Sequence, residues 1–148
     1  MLITQPKQEY DVLIIGGGIA GMEASLTLGD MGFKVLLVEE TPSIGGKMAL
    51  LSKVFPTLDC SSCIVTPKMA AVQHHPNIDL LVYSDVLEIV RRVKGDFDVV
   101  IRRKPTYVDF SKCTACTWCE KICPVVVSDE FNYGVRGRKA AYIAFDIA

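Results

Sequence analysis

Four cysteines and a proline are packed into one short run, CTACTWCEKICP, spanning Cys113 to Pro124. Their spacing is C-x2-C-x2-C-x3-C-P, with which bacterial electron carriers wrap a 4Fe–4S cube. Thiolates of Cys113, Cys116 and Cys119 lie on one loop, and backbone N–H groups of such a loop bond the sulfurs and raise the reduction potential. Zinc is the rival ligand, but zinc sites usually pair two C-x2-C units across a longer gap. The cluster reading is therefore preferred over zinc and over a purely structural role.

Cys123 poses a counting problem. In proteins with two clusters, the cysteine before the proline serves the other cluster. Two cubes need eight thiols, and the chain has six cysteines. The remaining two are Cys60 and Cys63, in DCSSC. Three ligand sets stay open. All four local cysteines bind one cluster; or Cys60 or Cys63 replaces Cys123; or Cys60, Cys63 and Cys123 begin a second cluster that a partner chain completes. One cluster per chain is favoured. A thiol pair beside a cofactor or in the core is the alternative for Cys60 and Cys63.

The second chemical signal lies at the other end. Gly16, Gly18 and Gly21 form G-x-G-x-x-G, between an apolar run and a helical pattern that opens with Ile19 and Ala20. Gly16 permits a tight turn, Gly18 lets a pyrophosphate approach, and Gly21 lets helix and strand pack closely. The helix N-terminus supplies unpaired N–H groups for the phosphates. Glu39, followed by Glu40, ends the next apolar run, where a carboxylate accepts hydrogen bonds from ribose hydroxyls. A carboxylate there disfavours a 2′-phosphate, hence NADP. The pair Gly45 and Gly46, followed by Lys47, favours FAD over NAD, because flavoproteins of the glutathione-reductase type often carry such a segment close to the flavin.

These signals need elements to hold them. Val12–Ile15 reads as a strand buried on both faces. Ile19–Met31 reads as a helix with apolar positions near helical spacing, ended by Gly32. Lys34–Glu39 reads as a second buried strand, so the three form a right-handed βαβ unit. Pro42, Pro56 and Pro67 break the following stretch into loops and short helices, with a helix over 68–75. NIDLLVYSDV reads as one strand, and alternation on both sides of KGD reads as a hairpin. RKAAYIAFDIA reads as a further short strand. His74 and His75 are assigned to the end of a helix, Trp118 to shielding a cluster, and VRGRK (135–139) to a solvated turn.

Bulk properties bound the function. The 148 residues are half hydrophobic, with a formal charge of −1 and a mean hydropathy of +0.31. That suits a packed core and gives no electrostatic reason to expect nucleic acid or an anionic membrane as partner. No apolar stretch reaches the roughly 20 residues of a membrane span. MLITQPKQEY has no signal-peptide pattern, so a cytoplasmic location is expected, where clustered cysteines point to metal or redox chemistry. No arrangement suggests hydrolysis.

Three segments together resemble one family: VLIIGGGIAGMEASLTLGDMGFKVLLVEETPSIGGKM, FPTLDCSSCIVTPKM and KPTYVDFSKCTACTWCEKICPV. They are similar to the A subunit of heterodisulfide reductase and its relatives in quinone-interacting and sulfur-oxidising complexes. The resemblance runs from about Asp11 to Phe145, and the D-C-S-x-C element with its trailing P-K is its distinctive part.

It implies an α/β fold: an FAD-binding Rossmann-like half-domain of the glutathione/thioredoxin-reductase type with a β-meander over 1–106, then a ferredoxin-like 4Fe–4S segment and tail over 107–148. It implies a cytoplasmic electron-transfer component of a multi-subunit oxidoreductase, active with partner subunits, whose flavin in some relatives bifurcates electrons. Gly16, Gly18, Gly21, Glu39 and Gly46 would hold FAD, and Cys113, Cys116, Cys119 and Cys123 would belong to the inserted segment. Two departures stand out. Ala115 and Thr117 occupy positions where relatives commonly have glycine. The second half of the flavin fold is absent, which implies a fragment or a split subunit completed by another chain. The alternative is a non-catalytic assembly module that keeps the cluster and not the flavin; another is a small NAD-binding reductase.

Overall fold

The computed structural model describes residues 8–109, 112–130 and 132–142. The chain divides into two compact units, Met1–Arg103 and Lys104–Ala148.

The first unit is built on a parallel sheet. Strand β1 (Val12–Ile15) leads through helix α1 (Ile19–Asp30) to β2 (Val35–Val38), which pairs with β1 in parallel register, Val12 opposite Val35 and Ile15 opposite Val38. Next come α2 (Gly46–Ala49), the short antiparallel pair β3 (Lys53–Val54) and β4 (Asp59–Cys60), and helix α3 (Ser61–His74). The chain then enters β5 (Ile78–Leu81), which pairs with the free edge of β2. The sheet order is β1-β2-β5, so β2 is central. Its VLLV sequence is buried throughout, as a strand flanked on both sides and covered by helices requires. Met22 of α1, Ile44, Ala49 of α2, Val65, Met69 and Val72 of α3, and Ile78 of β5 complete the core.

Two expectations are corrected here. Helix α3, expected over 68–75, begins at Ser61, and Pro67 lies inside it. A mid-helix proline loses one hydrogen bond and costs about 3 kcal/mol. Burial of Val65, Met69 and Val72 outweighs that local preference. NIDLLVYSDV is two strands rather than one. Val82 and Tyr83 interrupt it, Tyr83 with φ +51°. The chain leaves the parallel sheet there and enters a hairpin of β6 (Ser84–Val93) and β7 (Asp96–Arg103). Gly95, at φ +87°, turns that hairpin, where a side chain would be strained. Its register shifts between Val86 and Glu88 and between Arg91 and Val93.

The second unit holds a short helix α4 (Trp118–Ile122) and an antiparallel pair, β8 (Val126–Ser128) with β9 (Gly137–Lys139). Part of VRGRK is thus strand β9 rather than turn: Arg138 pairs with Val127, and its guanidinium lies 3.9 Å from the Tyr142 ring centre. The part of the expected C-terminal strand beyond Tyr142 lies outside the described residues. Among the described residues, no helix is long and apolar enough to cross a membrane.

Candidate cofactor sites

The glycine loop joins β1 to α1. Gly16 has φ +103° and donates its N–H to the Val38 carbonyl at 2.8 Å. Gly21 faces that turn so closely that a Cβ on it would lie 1.9 Å from the Gly16 oxygen. Sterics thus dictate both glycines. Gly18 differs. It caps α1 with φ −70°, ψ 179°, and a Cβ there would meet nothing within 4 Å. The protein itself gives no steric reason to exclude a side chain at Gly18, and the space beside it is open.

Helix α1 opens without a side-chain capping bond and without an acidic residue in its first turn, which leaves N–H donors for an anion. Ile19 and Ala20 form that first turn and are exposed. The second glycine pair packs onto the same loop. Gly45 donates its N–H to the Gly17 carbonyl at 2.7 Å, and a Cβ on Gly46 would lie 3.1 Å from the Gly18 Cα. Lys47 follows on α2 and is exposed.

Glu39 is buried, and its carboxylate binds the loop. Oε2 accepts the Gly17 N–H at 2.5 Å; Oε1 accepts the Thr41 N–H at 2.8 Å and the Thr41 hydroxyl at 2.7 Å. This carboxylate therefore fixes the loop's shape as well as standing at the site. An open cleft of about 380 Å³ lies at the carboxyl ends of β1 and β2, where doubly wound sheets bind ligands. Ile15, Gly16, Glu39 and Glu40 form one side, and Ser84, Asp85 and Val86 of β6 form another. Sequence reading missed the β6 residues, because a hairpin's first residues carry no spacing motif. The Ser84 N–H bonds the Glu39 carbonyl at 2.9 Å and pins β6 beside the cleft. An open glycine, an uncapped helix and an adjacent cleft fit the pyrophosphate and ribose of a dinucleotide.

In the second unit, Cys113, Cys116 and Cys119 are exposed and Cys123 is half-buried. Ala115 and Thr117 both take left-handed backbone conformations, φ +53° and +64°. These are the positions where glycine is the easier residue. The backbone N–H of Trp118, helped by the Thr114 side chain, holds the Cys116 thiol below its ordinary pKa. The N–H of Ala141, then that of Val125, does the same for Cys123, with Ala140 and Lys139 adding smaller effects. Such donors favour thiolate, the ligating form. Trp118 is 62% exposed, and the Lys121 ammonium stands 5.5 Å from its ring centre.

The thiols are not drawn together: among the described residues, no three His, Cys, Asp or Glu side chains are grouped to hold a metal ion. The donor set nonetheless suits a cluster in chemistry, with four thiols on one turning segment and N–H groups directed at two of them.

Cys60 and Cys63 lie in the first unit. Cys60 is the N-cap of α3, and its Sγ accepts the Cys63 N–H at 3.4 Å. His74 falls in the last turn of α3. His75 is its C-cap, with Nε2 3.2 Å from Asp30 Oδ1, in keeping with a structural place for both.

Residues 11–62 match the model of the FAD-dependent oxidoreductase family, and residues 106–127 that of the 4Fe-4S binding domain. The chain is 51% identical over 137 residues to an iron-sulfur A subunit of the CoB–CoM heterodisulfide reductase of Methanopyrus kandleri, covering 93% of this chain and 20% of that one. Over nine tenths of its length, this chain is similar to heterodisulfide reductase A subunits. It spans about a fifth of the length of the curated relatives it matches. Among solved structures, L-proline dehydrogenase from P. horikoshii is 31% identical at a TM-score of 0.55, covering 64% of this chain and 19% of that one. Lactococcus lactis thioredoxin reductase, at 22% identity and a TM-score of 0.54 over 65% of this chain and 32% of that one, shares the fold. The α/β Rossmann-like reading with an iron–sulfur segment is borne out, and the two domain matches indicate FAD and a 4Fe–4S cluster as the cofactors.

Proposed function

We propose that this chain is the part of a heterodisulfide reductase A-type electron-transfer subunit that holds FAD on its first unit and a 4Fe–4S cluster on its second. The open space at Gly18 carries the flavin half of this reading. When bound, FAD supplies two-electron exchange and the cluster single-electron relay, the combination on which bifurcation also depends. The residues' tasks follow from their places. Gly16 and Gly21 shape the turn, Gly18 and the first turn of α1 receive the pyrophosphate, and Gly46 closes against Gly18. Glu39 keeps the loop rigid, and Glu40 with Ser84–Val86 flanks the ribose and adenine. Cys113, Cys116, Cys119 and Cys123 are the proposed cluster ligands. Free, closely spaced thiols suit a reducing compartment, so a cytoplasmic place is part of the proposal. The partners are further subunits, including the sequence that supplies the rest of the flavin domain.

The test is chemical assay of anaerobically purified protein together with its natural neighbours. Flavin released on denaturation, with iron and sulfide in the ratio of one cubane per chain, supports the reading. Iron and sulfide without flavin would make the chain an assembly module instead, and neither cofactor after reconstitution would end the proposal. Potentiometric titration of the flavin then tests bifurcation.

A further inference from the structure

Outside the proposed cofactor machinery, the chain carries a second pair of sulfur groups with a geometry of its own. Cys60 and Cys63 are separated by two residues, Ser61 and Ser62, and the segment Asp59–Cys63 crosses from β4 into the first turn of α3. Residues three apart at the start of a helix have Cβ atoms about 5–6 Å apart, and a disulfide needs about 3.5–4.5 Å, so a small adjustment of that turn joins them. The turn is held firmly on its inner side. Ser61 is fully buried, its N–H bonds the Ser52 carbonyl at 3.2 Å, and its hydroxyl bonds the Met48 carbonyl. Ser61 thus anchors the backbone while both cysteines face solvent.

From this arrangement we infer that Cys60 and Cys63 form a reversible dithiol/disulfide couple that exchanges with low-molecular-weight disulfides. Cys60 is the attacking sulfur. It sits at the cap of a fourteen-residue helix and receives the Cys63 N–H, a setting that stabilises a thiolate. The Cys63 thiol hydrogen-bonds the same sulfur, which holds Cys60 below and Cys63 above the ordinary thiol pKa.

The exchange balances in two steps. The Cys60 thiolate attacks one sulfur of R–S–S–R; the S–S bond breaks, a Cys60–S–S–R bond forms, and the leaving thiolate takes up the proton that Cys60 released. Cys63 then attacks Cys60 Sγ, gives up its own proton, and expels the second R–SH. Two electrons pass from the protein dithiol to the external disulfide. A bridge closing so short a loop at an exposed site belongs to the labile, exchangeable class rather than the structural one. The couple lies within the first unit alone and does not depend on the flavin or cluster assignments.

One tryptic peptide, Val54–Lys68, contains both cysteines and none of the other four, so the state of the pair can be read directly. Anaerobically purified holoprotein is equilibrated in a series of glutathione to glutathione disulfide ratios, acid-quenched, alkylated and digested. The expected result is that this peptide passes from doubly alkylated to two hydrogens lighter and unalkylated as the ratio falls, and returns with dithiothreitol. Cys63→Ser should accumulate a glutathione adduct on Cys60, and Cys60→Ser should lose that adduct. A peptide that stays doubly alkylated at every ratio overturns the inference. So does loss of iron and sulfide from Cys60→Ser and Cys63→Ser with flavin retained, which would make the pair cluster ligands. Should the variants fail to fold, the wild-type titration still decides.

Discussion

The glycines of the first loop look alike in sequence, yet they answer to different forces. Gly21 is required by the protein, since a methyl group there would collide with the Gly16 carbonyl. Gly18 is not required by the protein, since a methyl group there meets only open space; in the function proposed above, it is the ligand that requires it. Gly18→Ala is therefore expected to leave stability, read from urea unfolding, within about 0.5 kcal/mol of the parent while flavin content falls sharply; an unchanged flavin content would remove the role assigned to Gly18. Gly21→Ala should lose both, at a cost of about 3 kcal/mol or more. The cluster loop allows the opposite experiment. Ala115 and Thr117 hold left-handed conformations that cost an L-residue roughly 1–2 kcal/mol each. Replacing Thr117 with Gly relieves that strain, which is worst for a β-branched side chain. Slower cluster loss under chelator is the expected outcome, and faster loss would show that the threonine side chain contributes more than its backbone costs.

Among elements, legibility tracked how local the determining force was. Strands β1 and β2, helix α1 and the hairpin turn at Lys94–Gly95 were readable because alternation, apolar runs and glycine act within a few residues. Helix α3 was readable only in its second half. Pro67 is a strong local signal against a helix, and the burial that overrides it comes from β5 and α1, distant in sequence. The cleft was half legible for the same reason: Gly16, Glu39 and Glu40 belong to a motif, whereas Ser84, Asp85 and Val86 reach the site through tertiary folding. Gly29 illustrates a contact hidden in a helix. Helix propensity alone favours alanine there by about 1 kcal/mol. A Cβ at Gly29, however, would lie 2.7 Å from His75 Cε1 and 3.1 Å from Ile78 Cγ1. The His75 ring is also held, with Nε2 beside Asp30 and Nδ1 accepting the Asn77 N–H. Overpacking should win, so Gly29→Ala is expected to destabilise the first unit by about 1–3 kcal/mol, read as a lower denaturation midpoint. A higher midpoint would mean that the α1 packing against α3 and β5 yields at little cost.

Each of the two units owes its internal stability to a different source. Among the described residues, every buried apolar side chain belongs to the first unit, from Met22 to Ile78. The described part of the second unit buries none, and Trp118, Ile122, Val126 and Tyr133 are exposed. A segment of that length without an apolar core needs a covalent or metal staple to hold a unique structure. Its cysteines are free, so the staple assigned to it is the cluster, whose binding energy then becomes folding energy. It follows that removing the cluster should unfold the second unit and spare the first. Hydrogen exchange measured before and after anaerobic chelation is the direct check. Amides of β8 and β9 should lose protection, while those of β2 and α1, which sit in the apolar core, should keep theirs. If β8 and β9 stay protected in iron-free protein, the unit owes its structure to packing outside this chain's own core. The thiols would then bind their cluster on a scaffold already formed.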